Sequence, residues 1–353
     1  MKVLLTGHCG YIGSVLTPML LERGHEVTGL DSDLFRECTF AGALEPIQAI
    51  EKDVRDVEPE DLRGFDAVIH LAGLSNDPLG DYQPELTAAI NAEASVRIAR
   101  LAKEAGVARF LFASSCSNYG AAGDHFLDEH AAFNPVTPYG ESKVVVEKTV
   151  SQLADDAFTP TFLRASTAYG VSTRLRFDLV VNNLTAWAFT TGLVYLKSDG
   201  SPWRPIVHVR DIAAAYIAAL EADQAAVHNA AFNVGTTTEN YQIRELAEIV
   251  QSVVPGSRVE FAPEAGPDRR CYRVDCNRIA RTLHGFKPQW TARRGVEELY
   301  ETYKRVGLTL DDFEGERFKR IAHVRSLIDG GRLGDDLRWR NPGGVAATET
   351  EGG

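Results

Sequence analysis

The feature that most constrains the fold of this chain is a series of short apolar runs separated by segments with helical periodicity. Runs that are apolar at nearly every position are typical of strands buried on both faces of a sheet. Between two of them, LTAAINAEASVRIARLAKEAG (86–106) has the periodicity of a helix and ends at Gly106, a common helix stop. The pattern predicts an α/β fold with a doubly wound parallel sheet. The predicted strands are KVLLTG (2–7), HEVTGLD (25–31), PIQAIEKD (46–53), FDAVIHLAG (65–73), RFLFASS (109–115) and TPTFLRAS (159–166).

The pattern changes after about residue 170, where helices predicted over 178–190, 241–253 and 292–306 mix with short extended pieces such as SRVEF (257–261). IVHVRDIAAAYIAAL, at about 205–220, reads as a strand entering a helix and predicts a return to the first domain. The tail NPGGVAATETEGG (341–353) has almost no large apolar residue and is predicted to be flexible. We therefore expect a domain over 1–170 with a return segment near 205–235, a smaller interleaved lobe over 171–204 and 236–310, and a C-terminal extension over 311–353.

Composition argues against several classes of function. The 353-residue chain carries a net charge of −12, a poor match to a nucleic-acid backbone or an anionic membrane. It lacks an apolar run of about 18 residues, so no transmembrane helix is expected, and the apolar start of MKVLLTGHCGYIG is too short for a signal peptide. Five cysteines without a CxxC pair favour free thiols in a cytoplasmic protein over a disulfide framework, and no metal site is expected.

A glycine-rich turn follows the first predicted strand. In TGHCGYIGS (6–14), Gly7, Gly10 and Gly13 permit a tight turn and a close approach to a pyrophosphate, and the following helix offers free N–H groups to phosphates. Asp31 ends the next predicted strand, where a ribose-binding acid is expected. Its carboxylate would accept a hydrogen bond from a 2′-hydroxyl and repel a 2′-phosphate, which favours NAD. Arg36 follows closely enough to keep NADP open as an alternative.

The spacing G-x-x-G-x-x-G resembles that of the extended short-chain dehydrogenase/reductase family, especially its NAD-dependent nucleotide-sugar epimerases and dehydratases, which implies a Rossmann-type sheet with a smaller substrate lobe. KDVRD (52–56) resembles the family's adenine-pocket segment, HLAGLSN (70–76) its strand beside the cofactor, and Asn91 its structural asparagine in the next helix. The resemblance implies that the cofactor-binding residues are Gly7, Gly10, Tyr11, Ile12, Gly13, Asp31, Asp53, Val54, Leu71, Ala72, Gly73, Asn91, Tyr139 and Lys143.

A tyrosine and a lysine lie one helical turn apart in PYGESK (138–143), so Tyr139 and Lys143 share a face of the predicted helix. A phenol is a poor base at neutral pH, but a nearby ammonium and a nicotinamide cation both favour the phenolate and lower the pKa of the phenol. The resemblance implies that Tyr139 is the catalytic acid/base, that Lys143 is its partner, and that Lys143 binds the cofactor ribose.

Small polar residues fill the end of the fifth predicted strand in FASSCSNYG (112–120). The resemblance implies that Ser115 contacts the reacting sugar hydroxyl, since a hydroxyl can donate to a developing alkoxide without becoming charged. Sugar 4,6-dehydratases carry Asp–Glu at the next two positions, whereas this chain has Cys116 and Ser117, which argues against 4,6-dehydration. Cys116 is expected either to pack at the strand end or to transfer protons if its pKa is lowered.

The resemblance also implies a nucleotide-diphosphate pocket. Asn183 resembles the amide that reaches the substrate phosphates, and Arg204 and Arg270 resemble the arginines that bind the diphosphate. Guanidinium groups suit a diphosphate because they form paired, charge-assisted hydrogen bonds. Thr167 stands where relatives often have Asn, so the preferred sugar or nucleotide is expected to differ. The substrate-binding residues implied are Ser115, Cys116, Ser117, Thr167, Asn183, Arg204 and Arg270.

The sequence therefore predicts an NAD-dependent nucleotide-sugar epimerase, acting at C4 through a transient 4-keto sugar. A ketoreductase or dehydratase of the same family is the alternative, and a non-catalytic dinucleotide sensor is a third possibility on the same fold. Family members commonly dimerise through helices that correspond to about 89–105 and 139–154, so a homodimer is expected by resemblance. His8 and His208 are expected to have structural roles.

Overall fold

The computed structural model describes residues 1–75, 83–120, 125–266 and 271–340. Its centre is a seven-stranded sheet in which every neighbouring pair of strands is parallel. Its strands are β1 (Lys2–Thr6), β2 (Glu26–Asp31), β3 (Gln48–Glu51), β4 (Ala67–His70), β5 (Arg109–Ser115), β7 (Thr159–Ala165) and β11 (Ala230–Val234). Their order in the sheet is β11-β7-β5-β4-β1-β2-β3. This Rossmann-type sheet confirms the predicted fold class and all six predicted strands.

Helices cover both faces of this sheet because its strands are apolar on both faces. Val3 and Leu5 of β1 pack in one apolar cluster, and Leu4 packs in another on the opposite face. The main covering helices are α1 (Gly13–Glu22), α3 (Ala94–Glu104), α4 (Pro138–Val150) and α6 (Val209–Glu221). α3 is preceded by the short helix α2 (Pro84–Thr87) and by a π-helical segment, Ala88–Glu93, so the helix predicted over 86–106 has a wider turn within it. α3 ends at Glu104, and Gly106, the predicted helix stop, follows with a left-handed φ of 81°.

A second group of elements packs around its own apolar cluster. It contains α5 (Val180–Thr191), α8 (Ile243–Val253) and α10 (Ala292–Val306), close to the three predicted helices. Its strands are β8 (Thr167–Tyr169), β9 (Leu193–Ser198), β10 (Trp203–His208), β12 (Asn240–Gln242) and β13 (Arg258–Gly266). These strands form a three-stranded sheet in the order β12-β10-β8 and a β13-β9 pair.

The segment predicted to return to the first domain is split between the two groups of elements in the structure. α6 and β11 do pack with the seven-stranded sheet, but β10, which leads into α6, pairs instead with β8 and β12. The remaining described strands and α-helices are β6 (Phe126–Leu127), α7 (Gln224–Val227), β14 (Arg273–Val274), α9 (Asn277–Thr282), α11 (Leu310–Glu314) and α12 (Arg320–Asp329). The predicted flexible tail, 341–353, lies outside the described residues.

All five cysteines are free thiols. No helix within the described part of the chain combines the length and apolar character needed to cross a bilayer.

Candidate active site

A cavity of about 740 Å³ lies at the carboxyl ends of the central strands. Strand order reverses between β1 and β4, and a crevice at such a switch point is where ligands bind in open parallel sheets. Thirteen of the fourteen predicted cofactor residues line this cavity: Gly7, Gly10, Tyr11, Ile12, Gly13, Asp31, Asp53, Val54, Leu71, Ala72, Gly73, Tyr139 and Lys143. Four of the predicted substrate residues line it too: Ser115, Ser117, Thr167 and Arg204.

The turn between β1 and α1 can only be built from glycine at two positions. Gly7 has a φ of 76°, and a Cβ on it would lie 2.7 Å from the amide nitrogen of Ala72. A Cβ on Gly13 would lie 2.3 Å from the Gly7 carbonyl oxygen. The turn therefore stays narrow, and α1 begins at Gly13 with no side chain capping its first N–H groups. This leaves backbone donors and the positive end of the helix at the cavity, where they fit a dinucleotide phosphate.

Carboxylates lie beside the loop that follows β2. Asp31 accepts hydrogen bonds from the backbone N–H of Cys9 (3.0 Å) and of Asp33 (2.9 Å), which fixes its side chain at the cavity wall. Burial raises the pKa of Asp33 to about 6, against the effect of its ion pair with Arg174. The Arg36 guanidinium, which kept NADP open, pairs with Glu51 at 2.7 Å. Asp31 and Asp33 place carboxylates at the wall, and Arg36 is already paired with Glu51. These groups fit a ribose with a free 2′-hydroxyl, because carboxylates repel a 2′-phosphate.

Tyr139 and Lys143 stand at the start of α4. The helix begins with Pro138, and the Thr137 hydroxyl accepts a hydrogen bond from the Gly140 N–H (3.2 Å), so the first turn is firmly set. The Lys143 nitrogen lies 5.3 Å from the centre of the Tyr139 ring and 4.7 Å from that of Phe112. Burial lowers the pKa of Lys143 to about 7, although Glu147 favours its charged form. A lysine with a pKa near neutrality, one helical turn from a tyrosine phenol at the same cavity, fits an acid/base unit.

The turn after β5 presents hydroxyl groups to the cavity. Ser115 ends β5 and caps a short 3₁₀ helix, Cys116–Tyr119, by accepting a hydrogen bond from the Ser117 N–H (3.1 Å). The Ser117 hydroxyl also donates to the Ser115 oxygen, at 2.9 Å. Because the Ser115 oxygen accepts both bonds, its own hydrogen is available to donate to a substrate oxygen.

A buried ion pair supports this turn from behind, and sequence reasoning missed it. Glu147 and Arg164 are each 5% exposed and pair at 2.6 Å. The Ser114 hydroxyl and the Asn118 amide donate to the same Glu147 carboxylate, so the strand end, the turn and α4 are joined. A signal was present in the sequence, because Glu147 lies four residues after Lys143 and therefore on the same face of α4.

Three predicted contact residues lie away from the cavity wall. Cys116 is fully buried, its thiol donates to the Arg164 carbonyl (3.2 Å), and burial raises its pKa to about 12, so it packs and does not offer a thiolate. Asn91 is also fully buried and bonds both backbone groups of Leu74, at 2.7 and 2.9 Å, which holds the segment after β4 in place. Asn183 donates to the Phe177 carbonyl at 2.9 Å.

On the substrate side, Arg204 is almost buried and donates to the Trp203 carbonyl at 2.9 Å. Arg270 lies outside the described residues. The cavity wall also includes residues that the sequence did not single out, among them Arg176, Lys197, Tyr272, Arg320 and Leu337.

His208 is structural, as expected, because it stacks on Trp290 with 3.8 Å between ring centres and caps the start of α6.

A glycine-rich turn at the switch point of a parallel sheet, beside a tyrosine and a buried lysine one helical turn apart, defines a class of enzymes that use a bound dinucleotide for redox chemistry. The model of the NAD dependent epimerase/dehydratase family matches residues 3–235. The chain belongs to this family and is an NAD-dependent enzyme.

Individual relatives agree with the family. A UDP-glucose 4-epimerase of Corynebacterium glutamicum is 29% identical over 84% of this chain and 94% of its own. A UDP-glucuronic acid decarboxylase 1 of Arabidopsis thaliana is 27% identical over 89% of this chain and 72% of its own. The solved structure of MoeE5 with UDP-glucuronic acid and NAD is 26% identical, has a TM-score of 0.74, and covers 86% of this chain and 99% of its own.

Proposed function

We propose that this protein is a nucleotide-sugar 4-epimerase, with Tyr139 as the acid/base, Lys143 as its partner and Ser115 as the hydrogen-bond donor to the reacting oxygen. The observation that carries the proposal is that all three side chains line one cavity together with the glycine turn and Asp31. NAD, when bound, supplies the acceptor and later the donor of one hydride.

The residues suit a reaction in which the same carbon is oxidised and then reduced. Tyr139 accepts the proton of the C4 hydroxyl as that carbon loses hydride, and returns the proton when hydride is delivered to the opposite face of the 4-keto sugar. Ser115 donates to the C4 oxygen, and Lys143 in its protonated form stabilises the phenolate. Protons and electrons balance over the cycle, so no net oxidant is consumed.

The residues at the end of β5 favour epimerisation over loss of water. Elimination needs an acid and a base beyond Tyr139. Among the described residues of this strand end and its turn, the groups that line the cavity are the hydroxyls of Ser114, Ser115 and Ser117, and the nearby Glu147 is engaged by Arg164. Tyr139 alone can move the single proton that epimerisation requires.

The test uses purified protein with a panel of UDP-, dTDP-, GDP- and ADP-sugars, including UDP-glucuronic acid, and separates the products by chromatography. The proposal expects interconversion of two sugars of equal mass without added reductant. Net accumulation of NADH, a product one water lighter, or release of CO₂ would each assign a different reaction and reject the proposal.

We further propose that the protein is a cytoplasmic homodimer that associates through α3 and α4. The five free thiols support a reducing compartment, and the half-exposed Val145 on α4 supports an apolar contact there. Sedimentation equilibrium of the protein and of a Val145→Lys variant tests the association, with a dimer expected for the first and a monomer for the second.

A further inference from the structure

The chain after α10 returns to the cofactor cavity. α12 leads into a tight turn closed by a bridge between Leu333 and Trp339. The turn is reinforced by the Gly334 N–H, which donates to the Arg338 carbonyl at 2.9 Å. We call residues 320–340 the C-terminal strap.

The strap is fastened to the loops after β2 and β3. The Trp339 indole N–H donates to the Ser32 carbonyl (2.7 Å), and the Arg36 guanidinium stacks 4.2 Å from the centre of the Trp339 ring. Arg338 pairs with Asp56, and the Arg55 guanidinium donates to the Asp336 carbonyl (2.9 Å). These loops follow Asp31, the last residue of β2, and include Asp53; the resemblance assigns these two carboxylates to the ribose and adenine end of the site.

Two strap residues form part of the cavity wall itself. Leu337 is 3% exposed, lines the cavity with Asp53 and Val54, and packs in the same apolar cluster as Leu30. Its φ of 61° is unusual for a bulky residue, so the turn holds a strained backbone that places this side chain in the wall. Arg320, at the start of α12, lines the cavity near Arg174 and Arg176. The strap therefore adds an apolar surface and a positive charge to the cavity.

We propose that the C-terminal strap closes the adenosine end of the cofactor site and slows the release of NAD. Leu337 packs against the adenine. The contacts of Trp339 with Ser32 and Arg36, and of Arg338 with Asp56, hold the strap against the loops after β2 and β3. Release of NAD then requires the strap to detach. The inference deepens the proposed function, on which it rests in one respect: an enzyme that returns hydride to its own substrate has no need to exchange the dinucleotide.

The test compares NAD release from full-length protein variants. Leu337→Gly removes the side chain but suits the left-handed backbone, and Trp339→Ala removes the fastening without touching the cavity wall. Leu327→Ala is the matched control, because Leu327 is a buried leucine of the same strap that does not line the cavity. Each protein is loaded with radiolabelled NAD and passed through gel filtration, and the label is then chased with excess unlabelled NAD.

The proposal expects Leu337→Gly and Trp339→Ala to release NAD at least about tenfold faster than the wild type, and Leu327→Ala to stay within about twofold. Release within about twofold of the wild type in both strap variants would overturn it. If Leu337→Gly does not fold, Trp339→Ala decides, since Trp339 is only half-buried. The sugar panel at saturating NAD separates the two proposals. If the strap variants release NAD quickly but the wild type shows no epimerase activity, the role of the strap is supported and the proposed function is rejected.

Discussion

At the scale of single residues, Tyr139 has the most specific role in this account. Replacing it with Phe removes one oxygen atom and leaves the ring beside Lys143 and the cofactor cavity. We expect Tyr139→Phe to lower kcat by about a hundredfold to ten-thousandfold, because the proton of the sugar hydroxyl loses its acceptor. Chromatography measures the loss of turnover, and equilibrium dialysis with NAD measures whether the variant still binds the cofactor. Turnover close to that of the wild type, with NAD still bound, would remove Tyr139 from the mechanism.

Lys143 makes a second prediction, for the NAD-free protein. Its pKa falls from an ordinary value of 10.5 to about 7 on folding, because its ammonium is buried. Between these values the unfolded chain holds a proton that the folded chain has lost, so the free energy of unfolding rises with pH across this window. The contribution is fully present above pH 10.5 and is lost as the pH falls to about 7.

Lys143→Met checks this linkage because it keeps the length and apolar stem of the side chain without the charge. Urea unfolding at pH 7 and pH 9 should show a smaller gain in stability with pH for Lys143→Met than for the wild type. Equal gains in the two proteins would mean that Lys143 keeps its proton when folded.

At the scale of elements, the ion pair between Glu147 of α4 and Arg164 of β7 joins the helix to the sheet directly behind the serine turn. Glu147→Gln keeps the shape of the side chain but leaves the buried Arg164 charge without its counter-ion. We expect it to lower the free energy of unfolding by about 3–5 kcal/mol. The control is Glu60→Gln, in an ion pair with Arg63 whose side chains are 66% and 68% exposed; a loss below about 1 kcal/mol is expected there. Similar losses in both variants, measured by urea unfolding, would contradict the structural role of the pair.

Strands and helices could be predicted from the sequence wherever residues close together in the chain determine the local structure. Six strands and the main helices follow from apolar periodicity, and the glycine turn follows from residues within one strand–turn–helix unit. Cys116 shows the limit, because the sequence could not tell which strand-end side chains would face the cavity. Ser115 and Ser117 face it, whereas Cys116, the first residue of the 3₁₀ helix, packs in the apolar core.

At the scale of the whole molecule, the cavity has walls from both halves of the chain and from its C-terminal strap. Arg320 and Leu337 could not be assigned from the sequence, since they meet the loops after β2 and β3 across nearly the full length of the chain. Contacts of such separation depend on the tertiary fold and leave no local pattern. The same holds for β10. Its sequence predicts a strand that returns to the central sheet, but it pairs with β8 and β12 in the smaller sheet.

The central claim is that one carbon of a nucleotide sugar gives up a hydride inside this cavity and receives the same hydride back. The most direct measurement uses the nucleotide sugar identified by the panel, carrying deuterium at C4, and follows the label in the product by mass spectrometry and NMR. The account predicts that the epimer forms with its deuterium still at C4 and with no deuterium taken up from heavy water. Loss of the label, or exchange of that position with solvent, would contradict the account.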